Sequence, residues 1–212
     1  TADVSDLNQF DAVIAKADGN AKRDFELQRE IFQADQRGGS ARTERTRYLG
    51  AMAALALAQP AVDDYKKVAL VEPLQRSLKT KKAKLEDALK GYAVAADYGV
   101  ADASTAATFH TAALYQDFGQ AMLKSQRPKG LKKLELEQYN VLLEEQAFPF
   151  EEKAITLHEI NAKRSAQGVY DEWVSKSFAA LRTLKPGRYA RAERVEENAG
   201  ATAVQLSPAD LA

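Results

Sequence analysis

Glycine and proline fall at wide intervals in this 212-residue chain, eleven of the first and six of the second, and that spacing limits what it can build. The stretches between them are rich in Ala, Leu, Glu, Lys, Gln and Arg, which lose little freedom on entering a helix. No stretch alternates β-branched and polar residues with period two around an Asn-Gly or Asp-Gly turn. The expected class is all-α.

The punctuation predicts the order of the helices. A first helix is expected from about Ser5 to Asp18 and a second from about Ala21 to Gln36, stopped by Gly38-Gly39-Ser40. Ser40 is the expected N-cap of a long Ala-rich helix, in which Pro60 should introduce a kink or a new start. Pro73 opens the next helix, ending near Tyr98-Gly99, and another runs from Asp102 or Ser104 to just before Arg127. The longest candidate spans Lys133 to Gln167, bent or split at Pro149, and a last one runs from Tyr170 to Leu184. Short turns between periodic helices predict antiparallel neighbours. Residues 1–39 read as an N-terminal helical hairpin, 40–197 as one domain of helical repeats and 198–212 as a tail or linker.

Charge and composition narrow the function classes. Thirty basic residues balance thirty acidic ones, so summed charge gives no reason to expect nucleic-acid binding. The absence of Cys removes disulfides, thiolate metal sites and cysteine nucleophiles together. The longest apolar run, Leu49 to Ala58, rises only about 15 Å as a helix, half a bilayer core, so no transmembrane span is expected. The opening Thr1-Ala2-Asp3 lacks a Met, a basic region and a cleavage site, and reads as a piece of a longer protein with any targeting signal upstream.

Two patterns recur. Leu49-Gly50-x-x-Ala53, Thr111-Ala112-x-x-Tyr115 and Val174-Ser175-x-x-Phe178 place a very small residue three before a core-sized one, with the small residues at 50, 112 and 175. Ala88-Leu89-x-x-Tyr92-x-x-Ala95 and Ala154-Ile155-x-x-His158-x-x-Asn161-Ala162 form a second pair, each followed by a Gly. A small side chain lets a paired helix approach, and the ring one turn on fills the groove beside it. The alternation resembles the tetratricopeptide repeat (TPR), with L-G-x-x-Y on helix A and A-x-x-x-F-x-x-A on helix B. The period here is near 63 rather than about 34, so these are enlarged, degenerate repeats.

From about Thr46 to Glu193, the strings ADYGVADASTAATFH, LEQYNVLLEEQAFPFEEKAITLHEINAKR and GVYDEWVSKSFAALRTLKPGRYARAE resemble the C-terminal part of large bacterial cell-envelope TPR proteins. Those proteins commonly accompany TonB–ExbB–ExbD-type systems. The resemblance implies a TPR-like α-solenoid of long antiparallel hairpins, in the periplasm or associated with the cell envelope, that works by contact.

Signs of catalysis are few. His158-Glu159 lacks the second ligand of H-E-x-x-H because position 162 is Ala, and E-x-x-H fails at Ile155 and at Ala107. His158 sits where the repeat puts a core aromatic and reads as a packed, hydrogen-bonded imidazole. The pairs Glu135/Glu137, Glu144/Glu145 and Glu151/Glu152 read as solvated helix faces, and no phosphate-binding loop or nucleophile elbow is present. No catalytic, cofactor or metal residue is assigned.

Contact residues are expected beside the small position of each helix A: Arg47, Phe109, Gln116, Glu172 and Lys176, with Trp173 and Phe109 as aromatic anchors. Both rings read first as ordinary inter-helix packing and second as docking anchors. Lys79, Lys81, Lys82 and Lys84 form a basic cluster that reads first as a solvated face and second as a contact for an acidic partner or anionic lipid. The expected function is a non-enzymatic protein–protein interaction scaffold, with a membrane-surface module binding anionic lipid as the alternative. The expected partner is another protein, not nucleic acid.

Overall fold

A computed structural model describes residues 21–191; the expected helix at Ser5–Asp18 and the tail at 198–212 lie outside them. The described chain is all-helical and has no strand. Its helices are α1 (Ala21–Arg37), α2 (Glu44–Lys67), α3 (Leu74–Ala96), α4 (Ala101–Leu123), α5 (Lys133–Arg164), α6 (Glu172–Leu184) and the single turn α7 (Pro186–Tyr189). Short 3₁₀ turns cover Gly39–Ala41 and Ser165–Gln167.

Several ends differ from expectation for local reasons. Ser40 does not cap α2: it lies in the 3₁₀ turn, and Thr43 is the cap. Thr43 and Thr46 form a reciprocal capping box, each side chain accepting the other's backbone N–H. Neither internal proline splits its helix. Pro60 and Pro149 both sit at exposed positions, so the carbonyl each leaves without its helical partner is on the solvent side. Gly99 and Gly168 stop the preceding helices as expected, both with positive φ (67° and 82°) that a side chain would disfavour.

Each helix packs against the next, from α1 to α6. Partner positions run in opposite directions along each pair: Tyr65 beside Lys81 and Ala58 beside Gly91 for α2/α3, Thr105 beside Asn161 and Phe118 beside Phe150 for α4/α5. The neighbours are therefore antiparallel. Contacts also link α2 to α4 and α4 to α6, one helix apart. Those pairs run in the same direction, with Thr105 beside Asp171 and Phe109 beside Trp173.

The alanines of α2 follow from this arrangement. α2 is contacted by α1, α3 and α4, and Ala51, Ala53, Ala54 and Ala58 are buried around its circumference. It lies close against α3, where a Cβ at Gly91 would lie 2.8 Å from the Ala58 Cβ. The main core joins Ala51, Ala54 and Ala58 to Tyr65, Leu85, Tyr92, Phe118 and Met122, while Ala53 packs on the other side with Ile31 of α1. The second sequence pattern is core except at Leu89, which is half-buried: Ala88, Tyr92, Ala95, Ala154, Ile155, His158, Asn161 and Ala162 are all buried.

The three small positions divide. Ala112 is fully buried, and Ala112→Leu is expected to cost about 1–3 kcal/mol by overpacking, read from urea or thermal unfolding. Gly50 is buried, but it makes room for polar side chains rather than for another backbone. A Cβ there would lie 2.8 Å from both Asp35 Oδ2 and the Tyr98 hydroxyl. Ser175 is exposed, contrary to expectation; the inward residues of α6 are Val174, Ser177 and Leu181. Their spacing of three and four is the helical stripe that meets α5.

Candidate functional site

The N-terminus of α6 fixes the geometry. Asp171 caps the helix, its Oδ1 accepting from the backbone N–H groups of Trp173 and Val174 at 3.0 and 2.9 Å. Its Oδ2 accepts from the Thr105 hydroxyl, which ties the start of α6 to α4. The pinning brings Trp173 to Phe109 and His110, with ring centroids 5.4 and 4.7 Å apart. His110 in turn stacks on Tyr92 of α3 at 5.2 Å and 11°. Tyr92 is buried, while Phe109, His110 and Trp173 are half-buried. Lys176 places Nζ 4.0 Å above the Trp173 ring and 3.6 Å from Glu172 Oε2, a cation–π contact beside an i,i+4 ion pair.

Burial lowers the His110 pKa, with Lys176 and Lys66 adding to the depression and Glu172 opposing it. His110 is thus held toward the neutral form, and its ring serves as apolar surface between Tyr92 and Trp173.

A buried polar layer supports this face. His158 Nδ1 lies 3.3 Å from the Ser177 hydroxyl oxygen, which also accepts from Asn161 Nδ2 at 3.0 Å. Asn161 Nδ2 donates to the Thr105 carbonyl at 2.9 Å, and Arg164 Nη1 donates to the Ser104 carbonyl and the Thr108 hydroxyl. His158 is 1% exposed and Ser177 fully buried, and their contact ties α5 to α6. Burial lowers the His158 pKa to about 4. Its Nε2 has no hydrogen-bond partner among the described residues, and its ring lies 5.5 Å from that of Phe109.

Of the six expected contact residues, Phe109, Glu172, Trp173 and Lys176 come together here. Arg47 is elsewhere: its Nη2 donates to the Tyr98 carbonyl at the end of α3. Gln116 lines a separate shallow cavity of about 200 Å³ between α4 and α5, with Gly119, Leu123, Glu144 and Phe148. His110 and Tyr92 were not among the expected contact residues. Their signal was adjacency: His110 follows Phe109, and Tyr92 occupies the aromatic position of the second pattern.

The basic cluster does not hold as a unit. Lys81 is buried, with 4% exposure; its Nζ donates to the Tyr65 and Val68 carbonyls at 3.3 and 2.9 Å and lies 4.1 Å above the Tyr65 ring. It closes the C-terminus of α2, where unpaired carbonyls favour a cation, and burial lowers its pKa. Lys84 reaches Asp64 at 3.5 Å, leaving Lys79 and Lys82 exposed beside Gln75 and Arg76.

Among the described residues no group of three or more His, Asp or Glu is placed to hold a metal ion, and no helix is long and apolar enough to cross a membrane. No protein-family model, curated protein or solved structure matches this chain.

Proposed function

We propose that this chain is a non-enzymatic protein-interaction scaffold of the bacterial cell envelope, a TPR-like stack of long helical hairpins. In this reading α2, α4 and α6 are the A helices, α3 and α5 the B helices, and the parallel A helices present the docking surface. One observation carries it: α4 and α6 hold Trp173, Phe109 and His110 as a half-buried aromatic patch rimmed by Lys176 and Glu172. Rigid rings with a charged rim are where interface energy concentrates. The patch rests on a fully packed layer, so docking there requires little ordering. The lipid-surface alternative loses support from Lys81, which faces the core, and from Lys84, which is paired.

The test is capture from bacterial envelope extract, comparing the wild type with Trp173→Ala and Phe109→Ala after checking helicity by circular dichroism. The wild type is expected to retain a discrete protein that both variants release, with Trp173→Ala weakening binding by about thirty-fold. Equal retention by all three would exclude this face.

A further inference from the structure

The longest helix carries one apolar stripe from end to end and has half of it covered. Leu134, Val141, Phe148, Ile155 and Ala162 recur every seven residues along α5, a drift of only about 20° per step on a helix. The last two pack with Leu181 under α6, and Ile155 is 8% exposed. The first three are 66%, 53% and 60% exposed. The exposed half continues an interface that the fold already uses.

The covered half also shows what chemistry fits beside the stripe. Glu159, on its edge, is met by Lys185 Nζ at 3.0 Å and Arg188 Nη1 at 3.6 Å from the segment that follows α6. One and two heptads earlier the same edge carries Glu152 and Glu145, and Glu137, Glu144 and Glu151 recur along the other edge. Those five carboxylates are exposed and, among the described residues, none has an ion pair. No Lys or Arg lies between Lys133 and Lys153. Toward the end of α6 the face opens into the cavity between α4 and α5, where Leu123 and Phe148 are the apolar walls and Glu144 and Glu151 the rim.

From this we infer that residues 134–152 of α5, with the adjoining α4 groove, form a second docking face for a basic amphipathic helix of another protein. That helix would extend the cover α6 supplies, setting apolar residues over Leu134, Val141 and Phe148 and Lys or Arg against the glutamates. The chain's own ends have the wrong sign. Residues 192–212 hold one arginine against four acidic residues, and residues 1–20 hold one lysine against four aspartates. A second copy presenting the same face would bring like charges together. The face is distinct from the Trp173 patch and stands independently of it.

The test uses the full chain and a labelled synthetic peptide of about 18 residues, enough helix to span the roughly 21 Å from Leu134 to Phe148. Its design places Leu at every third or fourth position and Lys or Arg between. Saturable binding is expected, with amide shifts confined to residues 116–123 and 134–152. Phe148→Glu and the pair Glu144→Lys/Glu151→Lys should each weaken it about tenfold or more with helicity unchanged, while Trp173→Ala leaves it intact. Four outcomes would each overturn the inference: no saturable binding, equal affinity for a scrambled peptide of the same composition, self-association of the chain abolished by Val141→Glu, or a tenfold gain on deleting residues 192–212.

Discussion

Replacing Asp35 by alanine is expected to lower the free energy of unfolding by about 3 kcal/mol, a fall of roughly 6–12 °C in Tm for a chain of this size. Asp35 ends α1 as a buried carboxylate, 1% exposed, and Arg42 grips both its oxygens, Nε to Oδ1 at 3.0 Å and Nη2 to Oδ2 at 2.6 Å. The Arg42 guanidinium also lies 5.3 Å from the centre of the Tyr98 ring, and the Tyr98 hydroxyl accepts from Gln36 Nε2 at 2.8 Å. One carboxylate thus joins α1, the turn before α2, and the end of α3. Removing it leaves the Arg42 guanidinium without its partner and the Tyr98 hydroxyl with Gln36 alone. Because the Arg42 side chain is 29% exposed and can turn to water, the cost should fall at the low end of the range for broken buried pairs. Asp35→Asn keeps one acceptor and is expected to cost less. Equal, small losses for both substitutions in chemical denaturation would mean that the ion pair does not hold this end of the fold.

The second large effect is a pH dependence. The His158 pKa is lowered to about 4 in the folded chain by burial, against an ordinary value near 6.5. Between those values the unfolded chain takes up a proton that the folded chain refuses, so stability falls as pH falls. The loss begins near pH 6.5, reaches about 3 kcal/mol near pH 4 and levels off about one pH unit below that. The lowered pKa of His110 acts in the same direction. The carboxylates held low by cations, Asp64 beside Lys67 and Lys84 and Glu159 beside Lys185 and Arg188, lose their contributions only at more acidic pH. The groups around His158 are Ser177, Asn161 and the Phe109 ring, none of which titrates in this range. His158→Leu, close in volume and without a proton to bind, is expected to flatten the stability profile between pH 7 and 4. The check is urea denaturation across that range for both proteins; parallel profiles would show that the imidazole is hydrated or already paired.

Much of the fold was legible because the signals were local. Pro73, Gly99 and Gly168 act on their own backbone, and the ends they mark are where expected. Of the alternatives at the internal prolines, a new start at Pro60 and a split at Pro149 are excluded, because the carbonyl one turn back from each lies on the solvent side and not against a neighbour. The analogy of Ser175 with Gly50 and Ala112 fails because Val174, Ser177 and Leu181 form the inward stripe of α6. Proximity in sequence groups Lys81 with three other lysines. Its spacing to Leu85, Ala88 and Tyr92 puts it on the buried face of α3, and only the arrival of the α2 C-terminus above that face explains why a cation belongs there. Phe109, Glu172, Trp173 and Lys176 come together because they lie on the facing sides of α4 and α6. Arg47 and Gln116 lie at similar register but at places where no α6 reaches.

Trp173 is the only tryptophan in the chain, so its emission reports on the proposed docking patch directly. Titrating the chain with the protein captured through it is expected to give a saturable shift of that emission to shorter wavelength as the ring loses water, and Lys176→Glu should weaken the titration. A partner that binds at full stoichiometry while the emission stays unchanged would contradict the assignment of the α4–α6 face as the place where this chain makes contact.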